Sequence, residues 1–248
     1  MQRSAPRLTR ILAAAALPVM LVVAGCSSDS GSGSGGGNGA GEAGGAQGKA
    51  TATASATPSP TPTVEPAKFA KLPTACKAIA AKTSASLVPK AKNENGTAAA
   101  STDLSHRGGC SWNGLEDKGV KGSQYRWLDV SFYRYDSEVS LGSGQARAQE
   151  NFAKELGKIQ ATTGAKKMST VSSAGIGDEA KTVTYTVRKT GEDFLYASVV
   201  ARTGNVLVLL SYNGAGYAGA PAPEAKKIVE GATKAAKEAV ASVAAANK

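Results

Sequence analysis

The chain has 248 residues and carries 29 Lys and Arg against 19 Asp and Glu, a formal charge of +10. No stretch beyond the N-terminal segment reaches the ~20 apolar residues a transmembrane helix needs. One histidine and three cysteines leave little for metal or imidazole chemistry.

Residues 1–25 read as a signal peptide. Arg3, Arg7 and Arg10 form the positive start, Ile11 to Val23 the apolar centre, and Val23-Ala24-Gly25 the small residues before a cut. Leu21-Val22-Val23-Ala24-Gly25-Cys26 looks like a lipobox, the pattern at which an exported bacterial protein is cleaved and its new N-terminal cysteine is lipidated; the alternative is an ordinary secretory signal that contains a cysteine. Losing three arginines takes the charge from +10 to +7. That basic balance suits an anionic membrane surface or acidic wall polymers, or a solvated lysine surface. The export route and the scatter of the charges argue against nucleic acid.

Residues 26–67 are the lipidated cysteine and a linker. Gly31 to Gly48 is nearly all Gly, Ser and Ala, and reads as flexible coil; Thr51 to Pro66 is rich in Thr, Ala, Ser and Pro and reads as stiffer and extended. A globular domain follows over residues 68–248, long enough for one core. With Cys26 taken by lipid, Cys76 and Cys110 are an even pair in an oxidising compartment, where a disulfide is the default. With His106 they make an incomplete zinc set, so no metal site is expected.

Thr74 to Ser86 has helical spacing, and Lys90 to Gly109 reads as loop. Cys110-Ser111-Trp112 starts a strand. Tyr125 to Tyr135 alternates, with Leu128, Val130 and Phe132 on one side and Trp127, Asp129 and Ser131 on the other. Ser143 to Thr162 is a helix with Ala146, Ala148, Phe152, Leu156 and Ile159 as its apolar side and Gly164 as its stop. Three strands come next: Thr182 to Lys189 with Val183, Tyr185 and Val187 inward, Phe194 to Arg202, and Val206 to Tyr212. The unbroken Val206-Leu207-Val208-Leu209-Leu210 predicts a central strand covered on both faces. Pro223 to Ala246 is an Ala-rich helix with a stripe of Ile228, Val229, Ala232, Ala236, Val240 and Val243. The expected fold is α+β: a single antiparallel sheet of about five strands, order α-β-β-α-β-β-β-α, with helices packed on one face.

Chemistry is sparse. Gly214-Ala215-Gly216-Tyr217-Ala218-Gly219 spells G-x-G-x-x-G, but no strand follows the next helix, so it reads as a flexible strand-to-helix loop, not a dinucleotide site. No G-x-S-x-G elbow and no Ser three residues before a Lys supports a nucleophile. His106 reads as an exposed loop residue. An enzyme would need two or more of His106, Asp103, Asp178 and Glu179 to converge with shifted pKa values; as neighbours in an extended segment, Asp178 and Glu179 should point apart. Aromatic residues on strands are the candidate binding set: Trp127, Tyr133, Tyr185, Tyr196 and Tyr212. They serve equally as cross-strand packing.

The lipobox, the linker, Cys76, C-x-W (Cys110 to Trp112) and GIGDEA (Gly175 to Ala180) in this order resemble a domain-of-unknown-function family of small actinobacterial cell-envelope lipoproteins. The resemblance spans about Leu72 to Ala245. It implies an uncharacterised envelope lipoprotein, with related domains similar to the extracellular sensor domains of actinobacterial Ser/Thr kinases. It brings no catalytic residues. It implies Cys76 and Cys110 as a disulfide, Trp112 as a packing residue beside it, and Gly175 and Gly177 as a turn.

The expected protein is thus a lipoprotein held to the cell membrane through Cys26 and facing the extracytoplasmic side. It is expected to be a non-catalytic, cofactor-free module that binds a cell-wall fragment, small ligand or envelope protein. The alternatives are an enzyme acting on envelope polymers and a purely structural envelope protein.

Overall fold

A computed structural model describes residues 63–248. The signal segment, Cys26 and most of the linker lie outside the described residues. The elements are α1 (Ala81–Leu87), β1 (Thr97–Ala98), β2 (Arg107–Glu116), β3 (Ser123–Arg134), α2 (Gly144–Gln160), β4 (Lys166–Ser172), β5 (Glu179–Lys189), β6 (Glu192–Thr203), β7 (Val206–Tyr217) and α3 (Ala225–Ala245). The strands form one antiparallel sheet in the order β1-β2-β3-β7-β6-β5-β4.

The sheet therefore has seven strands, not five. The two additional strands are the outer ones. β4 is a polar edge strand with nearly every residue exposed, so it carries no apolar alternation. β1 is two residues inside the segment expected to be loop.

β7 sits at the centre of the sheet, and its apolar run is buried from both sides. Val206, Val208 and Leu210 pack into the core that holds α3, whereas Leu207 and Leu209 pack with Phe152, Leu156 and Ile159 of α2. On β6, Val199 and Val200 divide in the same way, and both are fully buried. The helices thus lie on both faces of the sheet and not on one. Strand alternation marks two faces but not which of them a distant helix will cover.

The α3 face is the larger core. Leu128, Val130 and Phe132 of β3 are fully buried there, each contributing about 1.5–3 kcal/mol. Ala232, Ala235, Ala236 and Ala239 let α3 approach the sheet closely. Gly231 continues this close approach, since a Cβ there would sit 2.9 Å from the Tyr212 ring.

The first helical segment is broken. A single 3-10 turn, Ala75–Lys77, precedes α1, and Ala80 between them is extended at ψ 136°. Glu238 of α3 stabilises that break: its carboxylate accepts from Ala80 N at 2.9 Å and from Thr83 Oγ1 at 2.8 Å. A disulfide joins Cys76 to Cys110 across 34 residues and ties this segment to β2. Trp112 is buried beside it, since a Cβ on Gly96 would run into both the Cys110 Sγ and the indole.

In α2, Ser143 is the N-cap, its Oγ accepting from Ala146 N at 3.2 Å. Ala146 itself is exposed and stands outside the apolar stripe. The G-x-G-x-x-G stretch is largely strand. β7 runs through Tyr217, and Gly214 is needed because a Cβ there would meet the Tyr125 carbonyl at 2.7 Å. The β6–β7 turn is two residues, Gly204 and Asn205. The buried Asn205 amide ties two chain segments to the hairpin: Oδ1 accepts from Phe69 N at 2.8 Å, and Nδ2 donates to Phe69 O at 2.9 Å and Tyr135 O at 2.8 Å.

Candidate functional site: an aromatic slot on the open sheet face

α2 covers only part of its face of the sheet. Its apolar side chains meet the β5–β7 region around Val183, Tyr185, Val200 and Leu207. Further along the same face, no helix residue covers a cavity of about 360 Å³, lined by Tyr125, Trp127 and Asp129 of β3, Ser211 and Asn213 of β7, Phe194 and Tyr196 of β6, and Lys189 of β5.

Strand register builds this slot. Asn213 pairs with Trp127 on one side and Tyr196 on the other, so its side chain forms the floor between two aromatic walls. Ser211 in the next row pairs with Asp129 and Ser198. Tyr196 is fixed from behind by Tyr185, stacked at 4.9 Å between centroids and 3° between planes. The far end is closed by Tyr125, Phe194 and Tyr217 in edge-to-face contacts at 5.8 and 6.2 Å. Such pairs add rigidity to a wall beyond simple apolar burial. Lys189 Nζ donates to Tyr196 Oη at 2.8 Å.

Asp129 is the one acidic side chain in the slot. Its Oδ1 accepts from Trp127 Nε1 at 2.8 Å, which holds the indole against the floor. Burial pushes the carboxyl up to about 6, against the opposing pull of that hydrogen bond. Asn213 is 4% exposed and lies between the rings. The slot therefore offers aromatic rings, a half-buried carboxylate and an amide to whatever enters it. That is the profile of a binding site with a few polar groups set among apolar ones.

The five aromatic residues picked out from the sequence do not form one set. Trp127 and Tyr196 line the slot. Tyr185 is buried behind Tyr196. Tyr133 is on the same face but packs toward α2, with the Arg107 guanidinium 5.9 Å from its ring centroid. Tyr212 is on the opposite face, inside the α3 core, where its hydroxyl donates to Leu87 O at 2.7 Å; it is a core residue and not a surface one. Sequence reasoning placed Asp129 on the Trp127 side of the strand but gave no role to it, Asn213 or Phe194. Only the pairing of β3, β7 and β6 brings them together.

A second cluster joins the loop before β2 to the end of β3. His106 Nδ1 lies 2.9 Å from Asp103 Oδ1, and Nε2 lies 2.7 Å from Asp136 Oδ2. Arg134 also contacts Asp136, and Ser105 Oγ lies 2.9 Å from Nδ1. His106 and Asp103 thus converge, as an acid–base site would require. Two carboxylate acceptors on one ring favour the imidazolium, and the His106 pKa is raised, first by Asp136 and then by Asp103. Both carboxyls are held below their usual range, chiefly by His106. An imidazolium with both nitrogens occupied has no lone pair with which to activate Ser105. The arrangement works as an ionic clip between two chain segments.

Asp178 and Glu179 are not part of this cluster. Both turn toward Arg202, with Glu179 Oε1 at 2.7 Å from Nε and Asp178 Oδ2 at 3.3 Å from Nη1. Asp178 also accepts from Gly204 N at 2.6 Å and so secures the β6–β7 hairpin. Among the described residues, no three His, Cys, Asp or Glu side chains are grouped to hold a metal ion, and no helix is long and apolar enough to cross a membrane.

No protein-family model and no curated protein matches the chain. Among solved structures it is similar to LpqN, described as involved in cell envelope biogenesis of Mycobacterium tuberculosis, at 14% identity and a TM-score of 0.32. The match covers 52% of this chain and 68% of that chain. Backbones that diverge this far carry no argument about role.

Proposed function

We propose that the chain is a lipid-anchored extracytoplasmic module that binds a small ligand or envelope fragment in the aromatic slot and performs no chemistry on it. The observation that supports this most is the slot itself: aromatic walls, the Asn213 side chain and Asp129 on a stretch of sheet that no helix covers. A half-buried carboxylate with one oxygen free is costly to desolvate without a second partner, and a ligand would supply one. The lipobox pattern and the 41 linker residues after Cys26 support a module tethered outside the membrane.

The test is binding of solubilised cell-envelope fragments to the full-length chain in neutral detergent, measured by isothermal titration calorimetry. Saturable heat in the wild type, lost in Trp127→Ala and Tyr196→Ala, supports the reading. Fragment binding that survives both substitutions places the site elsewhere and ends it.

A further inference from the structure

We infer that the slot takes a ligand bearing an organic ammonium group, seated on the free oxygen of Asp129 beside the Trp127 ring. This rests on the binding reading above and narrows it to a chemical class. Asp129 has one donor, the Trp127 indole, on Oδ1. Its other oxygen meets no donor among the described residues, and no Lys, Arg or His of these residues forms a salt bridge with it.

Cations are not scarce in this chain, which has ten more Lys and Arg than Asp and Glu. Elsewhere, the acidic groups Asp103, Asp136, Glu138, Asp178 and Glu179 each face a cationic side chain. The slot carboxylate is different. Its neighbours in the sheet register are Ser111 and Ser211 across the strands, with Trp127 and Ser131 on its own strand.

Lys189 is the only cation lining the slot, and it is held at the other end. The register row Asp129–Ser211–Ser198–Val183 crosses three strand gaps, and Lys189 lies six residues beyond Val183 on β5. At strand spacing of ~4.8 Å and a rise of ~3.4 Å, the two Cα atoms are on the order of 20 Å apart. That is beyond a lysine side chain's reach, and the Lys189 ammonium is engaged by the Tyr196 hydroxyl.

The walls suit the same ligand. Aromatic rings attract cations through their quadrupole, and Trp127, Tyr125 and Phe194 line the slot, whereas the Tyr196 ring already holds the Lys189 ammonium at 5.1 Å from its centroid. The Asn213 carbonyl oxygen turns a further partial negative charge toward a cation seated there. A neutral alcohol could hydrogen-bond to Asp129 but would leave its charge unpaired, and an anion would be repelled.

The full-length chain in neutral detergent is titrated with choline and, separately, with 3,3-dimethylbutan-1-ol, its uncharged isostere. The indole N–H signals of the two tryptophans are followed by NMR. Trp112, buried on the other side of the sheet, is the internal control.

Choline should shift Trp127 saturably and leave Trp112 in place, with the isostere weaker by at least about tenfold. Asp129→Asn should weaken choline by a similar factor. Lowering the pH from about 7 to about 5 should weaken it by about tenfold as the carboxyl protonates. The inference is overturned if the isostere binds as well as choline, if Asp129→Asn keeps choline affinity, or if millimolar choline leaves Trp127 unshifted. Failure of choline with envelope fragments still bound through Trp127 and Tyr196 would remove the ammonium class alone. Choline bound with no fragment bound would retain the class and remove the envelope fragment as its source.

Discussion

Replacing Asp129 by asparagine should stabilise the fold at neutral pH and flatten its pH dependence. The carboxyl is pushed from an ordinary 3.8 up to about 6 by burial. A raised carboxyl pKa means that the folded chain holds the proton more tightly than the unfolded chain between those two values. Stability therefore falls as pH rises through that window and stays at the lower level above it. About two pKa units correspond to roughly 3 kcal/mol. Asp129 is half-buried in a slot open to water, so screening reduces the expected effect to about 1–2 kcal/mol. Urea unfolding of the full-length wild type and the variant at several pH values between about 4 and 7 measures it, with other titrating groups cancelling in the difference. The variant's advantage should open as pH rises through the window. A difference that is the same at both ends, or a variant less stable at neutral pH, would refute the burial argument.

Other expectations can be checked on the same chain. Asn205→Ala should cost about 3 kcal/mol in urea unfolding, because Phe69 N, Phe69 O and Tyr135 O lose their partner together; a loss under ~0.5 kcal/mol would contradict that account. Replacing Cys76 and Cys110 together by serine should cost roughly 3–4 kcal/mol, and intact exported protein should be two protons lighter by mass spectrometry than its reduced form. The raised pKa of His106 gives stability that is fully present below its unfolded value of 6.5 and lost as pH rises through the folded value. The stability difference between wild type and His106→Ala should shrink accordingly, and a difference that grows with pH would contradict the imidazolium clip. Cys26→Ser should abolish fatty-acid labelling, and equal labelling would end the lipoprotein reading.

The readable parts of the fold were those with strong local patterns. Alternation in Tyr125 to Tyr135 and in Thr182 to Lys189 marks β3 and β5, and the run from Val206 to Leu210 marks the doubly covered β7. β4 escaped because Lys-Lys-Met-Ser-Thr-Val-Ser at an exposed edge has no core to pattern against. The split of the first helix depends on Glu238, more than 150 residues away. The slot was half legible. Trp127 and Tyr196 stand out as strand aromatics, but Asp129 and Asn213 are ordinary residues until register sets Asn213 between the two rings. The same register argument removes Tyr212, whose parity on β7 puts it on the other face.

The most direct measurement of the central claim is hydrogen–deuterium exchange on the full-length chain with and without solubilised envelope fragments, with the fragments recovered and weighed by mass spectrometry. The account predicts slowed exchange confined to the slot strands around Tyr125 to Asp129, Phe194 to Tyr196 and Ser211 to Asn213, and fragments returned unchanged. Protection centred on the His106 clip, or fragments returned cleaved, would contradict it.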